Sequence, residues 1–252
     1  MKMDKLLHLH NQYISRSITY FILNYVKNLK NFLELQLTEN SANRQTIFDV
    51  IVEKWLHDSA TEDDRSAGHP QLLDTHQQWA EREARQLAER LGLPPDYADM
   101  LAIAARLHDE GKRAPLWQKA FKAPKDGAYA KTRGPVNVKL LDGYRHEFGS
   151  LPVAAKDSEF VELPVELQEL ALHLIAAHHG FARPVISITG CADAPPSALE
   201  SRAREVALRF AQLQKRWGPW GLAWWEALLR AVDQQASRDN DAEDSTSTEE
   251  GQ

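Results

Sequence analysis

The 252-residue sequence contains a single cysteine, Cys191, so the chain cannot form an internal disulfide. It shows no secretory signal with a basic start, an apolar centre and a small-residue cleavage site. Its longest apolar stretches, such as residues 18–26, contain polar side chains and are too short to cross a bilayer. From these absences we expect a cytoplasmic protein that neither inserts into a membrane nor depends on disulfides.

Two other patterns are missing. A P-loop would require G-x-x-x-x-G-K-[ST], but Arg106 stands where the first glycine should precede Gly111 and Lys112, and Arg113 follows the lysine. The chain is therefore not expected to act as an ATP-driven motor by itself. No long stretch alternates between polar and apolar residues, and the apolar residues recur instead at spacings of three and four. The sequence predicts an all-α fold.

Composition divides the chain into four segments. Residues 1–47 are rich in asparagine, and their apolar spacing predicts one or two amphipathic helices appended to the rest. Residues 48–69 are expected to form a linker with a short helix, and residues 70–238, rich in Ala, Arg and Leu, the main domain. Residues 239–252 are acidic and lack large apolar side chains, so they are predicted to be disordered. Because this tail holds much of the negative charge, the rest of the chain is nearly neutral.

Helix start and stop signals allow the individual helices to be placed. The predicted helices lie at residues 45–57, 71–91, 95–110, 114–122, 146–156, 164–179, 197–216 and 219–237. Loops rich in Gly, Pro and Lys are expected at 123–144 and 180–196.

The stretch LHDEGK, residues 107–112, combines features that seldom occur together. Helical spacing places His108 on or beside an apolar stripe, and Gly111 is expected to end the helix so that Lys112 projects from the following turn. A histidine and an aspartate at the buried end of a helix are costly unless a polar or cationic group contacts them. A divalent metal bound by His108 and Asp109 would satisfy both.

Other segments place imidazoles and carboxylates in comparable positions. His178 and His179 end an apolar helix, and adjacent helical side chains diverge by about 100°, so they can approach two metals, or one metal and an outer partner. Asp233 lies at helical spacing among aliphatic and indole side chains, where a carboxylate needs a cation. His76 and His146 lie early in helices and are weak indicators by themselves.

Taken in order, these residues resemble the HD superfamily of metal-dependent phosphohydrolases: His76, His108-Asp109 with Gly111-Lys112, His146, His178-His179 and Asp233. Three stretches are similar to the HD nuclease of the CRISPR-associated type I helicase-nuclease: residues 145–147, 176–180 and 232–237. The tryptophan-rich residues 216–230 resemble the subtype called I-G or I-U, in which the HD domain follows the helicase. The likeness covers roughly residues 70–238.

The resemblance implies an all-α HD-domain helical bundle that cleaves single-stranded DNA. It assigns a first metal to His76, His108, Asp109 and Asp233, and a second metal to Asp109, His146, His178 and His179. Lys112 matches the family's lysine at the scissile phosphate, which makes Asp109 and Lys112 the candidate catalytic residues. Glu110 departs from the family, which usually has an aliphatic or small residue there, and it is expected to point to solvent.

Mixed imidazole and carboxylate ligands suit transition metals better than Mg or Ca. We therefore expect one or two divalent ions such as Mn, Fe, Ni or Co. The expected partners are single-stranded DNA, a separate CRISPR helicase and an RNA-guided surveillance complex. A basic groove with interleaved aromatic residues could follow the DNA. Its candidates are Lys112, Arg113, Lys119, Lys122, Lys125, Lys131, Arg133, Lys139 and Arg145, with Trp117, Phe121 and Tyr129.

Two alternatives stay open at this point. The chain could be an HD phosphohydrolase of nucleotides or cyclic nucleotides, which would need a closed pocket with groups that read the base. It could also be a non-catalytic adaptor or the remnant of a helicase-nuclease, in which residues 1–47 dock a partner through amphipathic helices.

Overall fold

The structure is a computed structural model that describes residues 70–132 and 136–249, with side chains to residue 238. The predictions for residues 1–47 and 48–69 lie outside these ranges. Within them, helices dominate and the β-structure is one two-stranded sheet, so the all-α prediction is confirmed. In the described part of the chain, no helix has both the length and the apolar character needed to cross a membrane.

The helices are numbered here in chain order. They are α1 Leu73–Leu91, α2 Pro95–Leu107, a 3₁₀ helix Glu110–Arg113, α3 Pro115–Ala120, α4 Val138–Leu141, α5 His146–Ala154, α6 Ser158–Glu162, α7 Val165–Ala177 and α8 Pro196–Glu249. The strands β1 Gln71–Leu72 and β2 Tyr129–Lys131 pair in antiparallel fashion, with Gln71 opposite Lys131.

Helices α1 and α2 form the most extensive helix pair among the described elements. Gly92 ends α1 with a left-handed φ of 62°, and Pro95 begins α2 at a position that needs no backbone N–H. Ala80 and Ala84 of α1 are fully buried in the core that also contains Leu101 of α2. Small side chains on the facing surfaces allow the two helices to approach closely.

The longest helix, α8, changes direction at Gly218, whose φ of 68° and ψ of 169° are not helical. Pro219 follows and cannot donate a backbone hydrogen bond to the preceding turn. The predicted boundary between helices 197–216 and 219–237 therefore corresponds to this kink. Beyond it, Leu222, Leu229 and neighbouring apolar side chains are buried against the main core.

The structure differs from the sequence prediction around the LHDEGK stretch. Helix α2 ends at Leu107, before residue 110, and Gly111 lies within the 3₁₀ helix with no positive φ. Gly111 is therefore not the helix stop that the sequence predicts. Gly180, by contrast, follows α7 with a left-handed φ of 90°, as is typical of a glycine after the end of a helix.

Three local elements were not expected. The sheet of β1 and β2 and the helices α4 and α6 are each five residues or shorter, and such lengths are too short to show a periodic apolar pattern.

At the other end of the chain, α8 continues to Glu249, whereas composition predicts disorder from residue 239. No glycine or proline interrupts the sequence between Gly221 and Gly251, so propensity permits the helix to continue.

Candidate metal centre

The side chains that the sequence assigns to metal ions converge in one buried cluster. Each comes from the beginning or end of a helix, except one from the interior of α8. They are His76 in the first turn of α1, His108 and Asp109 after α2, His146 at the start of α5, His178 and His179 after α7, and Asp233 in α8. The helix ends bring together residues that lie far apart in the sequence.

One group of ligand atoms surrounds Oδ2 of Asp109. The Nε2 atoms of His76 and His108 lie 3.6 and 3.4 Å from this oxygen. Asp233 contributes Oδ1 at 3.1 Å from Nε2 of His76 and 3.6 Å from Nε2 of His108. These two imidazoles and two carboxylates could hold one ion.

A second group surrounds the other oxygen, Oδ1, of Asp109. Nε2 of His146 lies 3.2 Å from it and Nε2 of His178 lies 3.8 Å from it, and these two nitrogens are 3.3 Å apart. A ligand atom of His179 lies within 4.8 Å of those of His146 and His178. Asp109 therefore presents one oxygen to each group, as a carboxylate bridging two ions would.

The tautomers of two histidines suit metal binding. Nδ1 of His108 lies 2.7 Å from the carbonyl oxygen of Ala105, and Nδ1 of His178 lies 2.7 Å from that of Ile175. A carbonyl only accepts, so each Nδ1 carries the proton, and Nε2 of each neutral ring presents its lone pair to the cluster. Nε2 of His76 and of His108 are buried, and their approaches to the carboxylates lack hydrogen-bond geometry. An ion would satisfy both atoms.

Charge in the cluster is balanced by protons when metal is absent. Burial alone would lower the pKa of His108, but the carboxylates of Asp109 and Asp233 outweigh it and raise the pKa to about 9. Burial would raise the pKa of Asp109, yet His108, Lys112 and His146 together hold it well below its usual range. Burial and the surrounding imidazoles lower the pKa of His178 well below its usual value, so this ring is neutral.

A hydroxyl group that the sequence analysis did not identify joins the two halves of the centre. Ser150 accepts a hydrogen bond from the backbone N–H of Gly111 at 2.8 Å, and its Oγ lies 2.7 Å from the carbonyl of His108 and 2.9 Å from that of His146. A Cβ on Gly111 would lie 2.0 Å from the carbonyl oxygen of His146. Glycine is thus required for close approach of the 3₁₀ helix to α5.

Lys112 does not project from the turn as the sequence predicts. It is buried, with Nζ 2.9 Å from Oδ2 of Asp109 and 5.5 Å from the centre of the Trp117 ring.

The expectation that Glu110 points to solvent is also wrong. Its carboxylate accepts hydrogen bonds from Gln77 at 2.9 Å and from Arg113 at 2.8 Å, so its charge is neutralised locally.

Much of the predicted basic groove is interior. Three of its cations and two of its aromatic rings are buried: Lys112, Lys131, Arg145, Trp117 and Phe121. The centroids of the two rings are 4.2 Å apart in a second apolar cluster, where Trp117 also contacts the ring of His146 at the start of α5. The exposed cations are Arg113, Lys119, Lys122, Lys125 and Lys139, and Arg133 lies outside the described residues.

Another buried ionic group connects α7 with α8. Nε2 of His173 lies 2.7 Å from Oε1 of Glu226, and Arg183 contacts the other carboxylate oxygen. His173 precedes His178 on α7, and Glu226 lies two helical turns before Asp233 on α8. Sequence reasoning missed this group, although the carboxylate in an apolar, tryptophan-rich helix was a usable signal.

Comparison with known proteins does not identify a relative. No protein-family model matches the chain, and neither a curated protein nor a solved structure is significantly similar to it. The interpretation of the centre therefore rests on its own geometry and on the chemistry of its donor set.

The close approach at Gly111 generates a stability prediction. We expect Gly111→Ala to lower the free energy of unfolding of the metal-free protein by about 3 kcal/mol, because the methyl group would overlap a backbone carbonyl that cannot move independently. Gly221→Ala is the matched control, since its Cβ would meet nothing closer than 3.4 Å. The control should change stability by less than about 1 kcal/mol. Urea unfolding followed by circular dichroism measures both, and equal effects would contradict the close approach.

The raised pKa of His108, about 9, predicts that metal binding releases a proton. Below that pH the metal-free ring is cationic, and it must lose a proton before Nε2 can bind an ion. Manganese affinity should therefore rise as pH increases from 7 to 9 and level off above. Calorimetry at pH 7 in buffers with different ionisation heats should detect release of about one proton per centre. Binding that is independent of pH over this range would show that His108 is not a ligand.

Proposed function

We propose that the protein is a metal-dependent phosphodiesterase of the HD type that cleaves single-stranded DNA. The observation that carries the proposal is the position of Asp109, whose two carboxylate oxygens face two separate groups of imidazoles. A carboxylate shared in this way is typical of centres with two ions, which act on phosphate esters. The resemblance to the HD superfamily points to the same chemistry.

The donor set favours transition metals over Mg and Ca. Both groups are rich in imidazole nitrogen, whereas Mg and Ca prefer shells made of oxygen. We propose Mn, Fe, Ni or Co as the bound ions. When bound, such ions would supply Lewis-acid charge and a water of lowered pKa.

The protein's own residues would prepare the site for this chemistry. Carbonyls at the ends of α2 and α7 orient the rings of His108 and His178, and burial of the cluster excludes bulk water. Lys112 holds a positive charge next to Asp109. We propose that its ammonium group contacts a phosphate oxygen of the substrate and stabilises the negative charge that grows there in the transition state.

The biological setting is a further part of the proposal. The likeness of residues 70–238 to the nuclease of a type I helicase-nuclease supports a role in CRISPR interference in the cytoplasm. We propose that this sequence, which contains no P-loop, acts with a CRISPR helicase and an RNA-guided complex. That helicase would deliver unwound DNA to the nuclease.

A specific observation favours a second candidate, a phosphohydrolase of nucleotides or cyclic nucleotides. The candidate ligands His76, His108, Asp109 and His146 are each at most 1 % exposed. The aromatic rings expected to stack DNA bases, Trp117 and Phe121, are buried as well. A deeply buried centre is easier to reconcile with a small substrate than with a polymer.

Both candidates can be tested in one assay. We expect the protein with manganese to convert circular single-stranded DNA to linear and shorter fragments, and Asp109→Asn to reduce the rate by at least about 100-fold, since bound metal contributes several kcal/mol to such reactions. Asp99→Asn, which alters an exposed carboxylate bonded to Arg85, is the control and should retain the wild-type rate.

A parallel panel of nucleotides and cyclic nucleotides separates the two candidates. Consumption of a nucleotide with DNA left intact would establish the second function in place of the first. If Asp109→Asn and wild type degraded DNA equally, the activity would not arise from this centre, and both candidates would fail.

A further inference from the structure

Arg230 contacts the last histidine of the cluster in a way that determines its tautomer. Nη1 of Arg230 lies 3.0 Å from Nδ1 of His179 and 3.3 Å from the carbonyl oxygen of His178. A guanidinium group has donors and no acceptor, so Nδ1 of His179 must accept this hydrogen bond. With Nδ1 as the acceptor, the ring carries its proton on Nε2.

The other histidines at helix ends have the opposite arrangement. In His108 and His178, Nδ1 faces a carbonyl oxygen, so Nε2 is the atom that can offer a metal a lone pair, in His108 after loss of its second proton. A ring whose Nε2 is protonated cannot bind an ion through that atom. His179 therefore differs from its immediate neighbour, although the family resemblance assigns both rings to the second metal.

We propose that His179 donates a hydrogen bond from Nε2 to a phosphate oxygen of the substrate, with Arg230 as its positioning residue, and that it is not a metal ligand. This inference rests on the proposed function. Nε2 of His179 is buried, and the ring lies 5.0 Å from that of His146 and 4.1 Å from that of His178, measured between centroids. The ring that carries this donor thus lies beside the second group, where a phosphodiester would be held.

The assignment changes the expected coordination of the second group. Asp109, His146 and His178 would be its protein ligands, which leaves positions open for water and substrate, as catalytic metal sites require. Arg230 itself is largely buried in α8, where burial lowers its pKa, and Asp233 next to it favours the charged form. Its charge would add to the attraction for a phosphate group.

The tautomer can be read directly by nuclear magnetic resonance of the imidazole nitrogens, with signals assigned through His178→Ala and His179→Ala. In the metal-free protein we expect the proton of His179 on Nε2 and that of His178 on Nδ1. When zinc is added to saturation, Nε2 of His178 should shift as a ligand does, while His179 keeps its Nε2 proton. A proton on Nδ1 of His179, or loss of its Nε2 proton with zinc, would overturn the inference.

Variants of Arg230 test its positioning role. Arg230→Met removes the donor, and we expect the His179 ring to become a mixture of both tautomers. Arg230→Lys retains a donor and should restore the Nε2–H form at least in part. Near-ultraviolet circular dichroism verifies that each variant is folded, and an unchanged tautomer in folded Arg230→Met would show that another group orients the ring.

Activity and metal binding then distinguish a substrate contact from a ligand. His179→Ala should bind manganese within about threefold of wild type, yet cleave single-stranded DNA about 100-fold more slowly, as expected for loss of one donor at a developing charge. His178→Ala should lose manganese affinity as well. Loss of affinity in His179→Ala equal to that in His178→Ala would overturn the inference and leave the proposed nuclease intact. Failure of the wild-type protein to bind zinc or manganese would instead contradict the proposed function.

Discussion

The buried carboxylate of Asp109 is the constraint on which this structure depends. An ionised group removed from water is strongly destabilising unless charges and hydrogen bonds compensate for it. Asp109 lies where α2 ends, and the helix ends around it contribute imidazoles and the ammonium group of Lys112. The requirement for Gly111 and Ser150 follows from the same constraint, since these residues allow the start of α5 to approach the carboxylate closely.

Helix ends supply the chemistry that orients the rings. The last carbonyl groups of an α-helix have no partner within the helix. At the ends of α2 and α7, the carbonyls of Ala105 and Ile175 accept from Nδ1 of the histidine three residues later, so one contact satisfies a carbonyl and fixes a tautomer. His108 and His178, which directly follow apolar helices, are therefore oriented by local structure. The tautomer of His179, the residue after His178, depends instead on a distant group, Arg230.

This distinction explains how much of the molecule the sequence predicts. Apolar periodicity located α1, α2, α7 and the two parts of α8. Most candidate metal ligands were found because they end or interrupt such a pattern, whereas His76 and His146 were assigned only through the family resemblance. Features that depend on contacts between distant segments were missed or misread. No local sequence pattern marks Ser150 as important, and the clash that requires glycine at position 111 involves a residue 35 positions away. Trp117 lies among basic residues in the sequence and was therefore expected in an exposed groove, although its side chain is buried. Periodicity predicts which face is buried, and it cannot predict what packs against that face.

A second buried carboxylate in the protein allows a comparison with the candidate metal centre. Glu226 is this second carboxylate, and His173 at 2.7 Å and the guanidinium group of Arg183 contact its two oxygens directly. Around Asp109 the imidazole nitrogens stay at 3.2 to 3.8 Å, longer than a charge-assisted hydrogen bond. Two ligands each about 2.1 Å from a common ion are separated by about 3.0 to 3.4 Å in octahedral or tetrahedral geometry. Two of the four distances at Asp109, 3.2 and 3.4 Å, fall within this range, and the other two, 3.6 and 3.8 Å, exceed it. All four are longer than the direct hydrogen bond between His173 and Glu226.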